Sequence, residues 1–144
     1  MYRSLCVSAV LVLAALLPGC ESMKSMTGGG ATPDLTSLLT KELGVSENQA
    51  NGGVGSMLQL AKAKLSAGEF DSIAKAIPGS QKYLDTAKKL LGGSDVTDAS
   101  GLQSAFSKLG MSPDMVNKFK PILTNYVGQL GGPQVKSLLE SALK

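Results

Sequence analysis

Histidine and tryptophan are absent from this 144-residue chain, and aromatic residues make up only 4% of it. Without histidine, the side chain that titrates nearest neutral pH and most often ligates transition metals is missing. A Ser–His–Asp system is therefore excluded, and proton-transfer catalysis loses its commonest agent. Excess charge is scarce too. A formal net charge of +3 falls short of the clustered basic face that nucleic acid demands, so no nucleic-acid partner is expected. Cysteine is limited to Cys6 and Cys20. No stretch alternates polar and apolar residues for long enough to read as a strand. What the chain does have is 17 glycines and 43% hydrophobic residues, the composition of a globular chain rich in small residues rather than a disordered one.

The first residues read as an address. Arg3 is the one cation in the first four residues, and Leu5 to Leu17 is almost purely apolar. That run has the length of a signal-peptide core and falls short of the ~20 residues that span a bilayer. It ends in Leu17-Pro18-Gly19-Cys20. The tetrad resembles the bacterial lipobox, in which small residues precede a cysteine that is diacylated, exposed by cleavage and then N-acylated. Leu17 and Gly19 fit that pattern, and Pro18 is a less common choice. A thioether requires a sulfur nucleophile, which gives Cys20 its reason. The resemblance implies a signal peptide over residues 1–19, lipid attachment at Cys20 and a flexible tether within 20–32. The plainer alternative is an ordinary secretory signal that leaves Cys20 as an unpaired thiol. Cys6 would leave with the signal, so no disulfide framework remains. Two or three acyl chains hold a protein on a membrane durably, at ~0.8 kcal/mol per buried methylene. Glu21 follows the cysteine in place of Asp. By resemblance to Gram-negative sorting signals, this implies the outer membrane, with the protein facing the periplasm.

Glu21 to Ala31 have no periodic apolar face, and Gly28-Gly29-Gly30 favours flexibility. A nucleotide-binding glycine loop would need a preceding strand, and none is expected here. From residue 33 to 144 the signals are helical. Thr32-Pro33-Asp34 opens a first helix carrying Leu35, Leu38, Leu39 and Leu43, which Gly44 closes. Ser46-Glu47-Asn48-Gln49 and Ser66-Ala67-Gly68-Glu69 are capping boxes for the next two helices. Ile77-Pro78-Gly79 ends the third, and Ser80 is expected to cap another with Tyr83, Leu84, Ala87 and Leu91 on one side, before Gly92-Gly93. The expected fold class is all-α.

Residues 35–77 and 102–143 resemble each other. Leu43-Gly44-Val45-Ser46 pairs with Leu109-Gly110-Met111-Ser112, Met57-Leu58 with Ile122-Leu123, Leu65 with Leu130, and Phe70, Ile73 and Ala74 with Val135, Leu138 and Leu139. Each unit reads as a short helix, a longer helix and a third helix, with the helix at about 80–91 linking the two units. One such unit has little core of its own, so the two should pack together. Their leucines, Phe70, Phe106, Phe119 and Tyr126 are expected to fill that core. Each long helix carries a weak point, at Gly52-Gly53-Val54-Gly55 and at Pro121. Interior glycine costs ~1 kcal/mol against alanine and interior proline ~3. The structural reading is a kink or a close helix crossing, and the functional one is a hinge or a pocket floor.

Leu43 to Ala50, the glycine cluster, Leu60-Ala61-Lys62 and Phe70 to Gly79 together are similar to the VcgC/VcgE-type family of uncharacterised bacterial proteins. Phe106 to Gly132, with Lys118-Phe119-Lys120-Pro121 and Tyr126-Val127-Gly128, fits that family's second half. More loosely, the repeat resembles the all-helical YidB-like proteins. Neither resemblance implies an activity, a cofactor or catalytic residues.

Asp95-Val96-Thr97-Asp98 is the densest acidic stretch. It lacks the acid-rich loop and distal glutamate of a calcium site, and reads as a helix cap and linker. No Gly-x-Ser-x-Gly elbow occurs. The lysines are dispersed, with Lys88-Lys89 and the Lys118, Lys120 pair as the nearest approach to clusters. They suit solvated helix faces, or weak contact with anionic headgroups. The expectation is a non-catalytic, lipid-anchored envelope protein that needs no cofactor. Its partners would be the membrane and a protein or envelope component. The alternative is a carrier for a small apolar ligand held between the repeats, with Met57, Met111 and Met115 as adaptable walls.

Overall fold

A computed structural model describes residues 34–144. Within them the chain forms α1 (Leu35–Leu43), α2 (Glu47–Lys64), α3 (Ala67–Ala76), α4 (Ser80–Leu90), α5 (Ala99–Lys108) and α6 (Met115–Ala142), with no strand among the described residues. The all-α expectation holds. The anticipated signal peptide, Cys20 and tether lie outside the described residues.

The helix ends follow local chemistry. Gly44 closes α1 in the left-handed region at φ 65°, its N–H bonded to the Thr40 carbonyl at 3.1 Å. At the start of α2, the Ser46 N–H donates to Gln49 Oε1 at 3.0 Å and the Gln49 N–H to Ser46 Oγ at 3.3 Å. Before α3, the Glu69 carboxylate accepts from both the hydroxyl and the N–H of Ser66, at 2.7 and 2.9 Å. Those two bonds hold its carboxyl below the usual range. Asp98 caps α5 by accepting from the Gly101 N–H, as the linker reading anticipated. Ser80 departs from expectation. It is the first residue of α4, and the cap is Gly79 at φ 75°. The Gly79 carbonyl accepts from the Lys82 N–H at 2.8 Å, so the turn that ends α3 also starts α4.

Every residue of α2 from Ala50 to Ala61 is buried, so this helix is covered on all sides. Its small residues make that possible. A Cβ added at Gly55 would collide with the Tyr83 backbone carbonyl of α4 and stand 2.7 Å from Ala87 Cβ. One at Gly53 would come within 2.7 Å of Phe119 Cε1, and one at Gly52 within 2.7 Å of Leu109 Cδ2. Phe106 and Phe119 meet edge to face over Gly53, with centroids 5.1 Å apart and planes at 84°, a geometry worth about 1 kcal/mol beyond area burial. The glycine cluster is thus a set of close helix crossings. Gly68 differs, because a Cβ there would meet nothing within 4 Å. Gly68→Ala is expected to raise stability by about 0.5–1 kcal/mol, read as a higher midpoint in thermal melts.

The second weak point lies elsewhere than expected. Pro121 is exposed and stays within regular helix. The interruption in α6 is Gly132, at φ 84° and ψ 175°, followed by Pro133. That combination of angles is open essentially to glycine alone. Beyond it the chain folds back, and Lys136 Nζ donates to Asn125 Oδ1 at 3.1 Å. In an unbroken helix those residues would stand roughly 16 Å apart along the axis. Phe106, Phe119, Leu58, Leu123, Ile73 and Leu139 are fully buried, whereas Leu130 is 39% exposed and departs from the expected core.

Candidate functional site

Among the described residues, the buried polar side chains are Thr36 of α1, Asn51, Ser56 and Gln59 of α2, and Thr124 of α6. Thr36 Oγ1 donates to Asn51 Oδ1 at 2.8 Å, which uses its single proton. Tyr83 Oη, 3.1 Å from the same oxygen, must then be the donor to it. The triad ties α1, α2 and α4 together. Ser56 Oγ donates to the Gly52 carbonyl one turn back, at 2.7 Å. Burial pushes the hydroxyls of Tyr83 and Tyr126 above the usual tyrosine range. A folded pKa above the unfolded value of about 10 means the neutral rings contribute fully below that pH. The contribution is lost as pH rises through the folded value. Stability is expected to fall above about pH 10, with tyrosinate absorbance and helix loss rising together. Tyr83→Phe should blunt that fall.

Gln59 is the remaining buried amide, 6% exposed. Its Oε1 accepts from the Val96 N–H at 3.1 Å. This contact fixes the orientation of the amide, because only an oxygen can receive that proton. The bond pins the connection between α4 and α5 to the central helix. Gln59 Nε2 is buried and meets no acceptor from the protein. Gln59 also lines a cleft of about 230 Å³ bounded by Lys62, Ala63, Gln81, Leu84, Lys88 and residues 95–97. The cleft combines an apolar wall with several donors and one acid, Asp95. Sequence reasoning missed this place. Gln59 stands in a segment with no motif, and its partner lies 37 residues away.

The residues singled out from the sequence are dispersed. Cys20 lies outside the described residues. Gly52, Gly53 and Gly55 face Leu109, Phe119 and Tyr83, and neither they nor Pro121 line this cleft. Met57 and Met111 are buried in the core and Met115 is partly buried against it. Of the acidic stretch, Asp98 caps α5 and Asp95 edges the cleft. Lys88, Lys89 and Lys118 are exposed and Lys120 is partly so. Among the described residues, no three His, Cys, Asp or Glu side chains gather as a metal site would require. No described helix is long and apolar enough to cross a membrane.

No curated protein and no solved structure matches the chain. Residues 19–144 match the profile of the family described as "protein of unknown function VcgC/VcgE (DUF2780)". That span takes in the whole helical body, and the chain belongs to this family.

Proposed function

We propose that this protein is a non-catalytic, lipid-anchored module of the bacterial cell envelope. It is held at the outer membrane through Cys20, faces the periplasm, and binds a protein or envelope component through a helical surface. The observation that carries the reading is Leu17-Pro18-Gly19-Cys20, set where the apolar run from Leu5 stops. Residues 21–31 then act as a spacer between lipid and helices. The filled interior supports an interaction module over a carrier of apolar ligand. The methionines that would wall a carrier's cavity pack into the core instead, Met57 and Met111 buried and Met115 partly buried against it. The missing histidine and the scattered carboxylates support a role without catalysis.

The domain reads as a duplicated three-helix unit, α1 to α3 and α5 to α6, with α4 as the link. Gly44 and Gly110 close the first helix of each unit with φ of 65° and 75°. Gly132 divides α6 into a long and a short segment, in the manner of α2 and α3. Burial refines the pairing of the third helices. Ile73, Ala76 and Ile77 share their pattern with Leu139, Ala142 and Leu143, one residue beyond the pairing of Ile73 with Leu138.

The anchor is tested by Cys20→Ser. The variant is expected to accumulate as an unprocessed, unacylated precursor, read by its electrophoretic mobility and by failure to incorporate labelled palmitate. Normal maturation of that variant would refute the lipoprotein reading.

A further inference from the structure

We propose that residues 133–144 form an arm that two copies of this chain exchange, each arm packing on α3 of the other copy after rotation at Gly132. The arm joins the body at one non-helical residue. Gly132, at φ 84° and ψ 175°, is the break in α6, and Pro133 follows it. Its ψ is already extended, as a residue before proline prefers, so only φ has to leave the glycine-only region. Turning that one bond swings the arm as a unit, because the ring of Pro133 fixes the next φ. The pivot itself is held. Gly131 lies against α3, where an added Cβ would stand 2.8 Å from Ala76 Cβ.

What the arm carries, and what it leaves behind, decide the partner. Within it only Leu139, Ala142 and Leu143 are buried, so few side chains hold it in place. On the other side α3 packs against α6 and buries Ile73 and Ala76. A free arm would open both sets to water, which apolar surface opposes. A second copy carries the same two faces. Reciprocal exchange therefore restores each contact and closes on a two-fold axis. The polar tie transfers as well, with Lys136 Nζ of one arm donating to Asn125 Oδ1 of the other body as it does within one chain at 3.1 Å. The body meanwhile keeps its interior. Tyr83, Leu109 and Phe119, which cover the glycines of α2, all precede the hinge.

The test uses the full chain in detergent micelles, with Cys6→Ser and Cys20→Ser so that introduced thiols stand alone. Neither readout depends on the anchor at Cys20. One chain carries Gly128→Cys and a second Lys136→Cys. An added Cβ at Gly128 stands 3.3 Å from Lys136 Cβ, close to the ~3.8 Å of a disulfide. When the two chains are mixed and oxidised, a disulfide joining them is expected, because the arm of one lies on the body of the other. Chains carrying Lys41→Cys and Lys118→Cys, both exposed and off the arm, set the background from chance collision. Gly132→Ala disfavours the closed φ and accepts the open one, so its dimer fraction in sedimentation should rise at least about tenfold at unchanged helix content. A chain carrying both Gly128→Cys and Lys136→Cys, oxidised at high dilution, should stay monomeric with its arm locked. A dimer there would mean association through an outer surface and would overturn the exchange. A Gly132→Ala chain that stays folded and monomeric also overturns it. Cross-chain disulfide at the background level does so whatever the state of Gly132→Ala.

Discussion

Gly55→Ala is expected to destabilise the folded domain by about 3 kcal/mol or more, although alanine is the better helix former by about 1 kcal/mol. The new methyl would be driven into the Tyr83 carbonyl of α4, which is backbone and cannot swing aside, with Ala87 Cβ 2.7 Å away. Relief requires α2 and α4 to separate along their length, which loosens Val54, Leu58, Leu84 and Ala87 together. Gly52→Ala is the control. There the nearest atoms are the ends of Leu109 and Leu90, flexible side chains that can change rotamer, so its cost should be well under half as large. Denaturant titration of both variants checks the ordering. Equal losses would mean that the crossing at Gly55 is no tighter than the one at Gly52.

Phe119→Ala should cost about 4 kcal/mol, in the middle of the range for truncating a buried aromatic residue. Phe119 is 0% exposed, it is the edge-to-face partner of Phe106, and it fills the space left by the missing side chain of Gly53. Gly53 and Phe119 are therefore coupled. In a Phe119→Ala background the methyl of Gly53→Ala gains room, so the two substitutions together should cost less than their sum. Strict additivity in the double-mutant cycle would show that the ring and the glycine do not share this space.

The helix boundaries were legible at most local caps, although α1 starts at Leu35 with Asp34 as its cap, two residues beyond the cap expected at Thr32. Gly44, Ser46, Glu69 and Asp98 act within a few residues of themselves, and the sequence carries that information directly. Ser80 was misread because Gly79 can both end one helix and begin another, a choice decided by how tightly α3 turns into α4. The break in α6 was sought at Pro121, where propensity is worst. It lies at Gly132, where the chain must fold back for Lys136 to reach Asn125. Leucine spacing marked the core but included Leu130, which faces outward. The buried polar residues were the least legible. Asn51, Ser56 and Gln59 look like one polar face of α2 until helices arrive on every side. The cleft beside Gln59 depends on Val96, and no spacing rule links those two positions.

The enclosure of α2 has a consequence for the order of events as the chain is synthesised, amino end first. The helix emerges early, yet its covers arrive late: α4 at Gly55, then Leu109 at Gly52 and Phe119 at Gly53. A partly synthesised chain ending near Gly93 has no ring to place over Gly53. Its central helix then has one face open to water, and the polar tie from Gln59 lacks Val96. Folding therefore waits until most of α6 has emerged. During that interval the central helix keeps an uncovered face, which leaves it open to proteolysis until the last helix arrives.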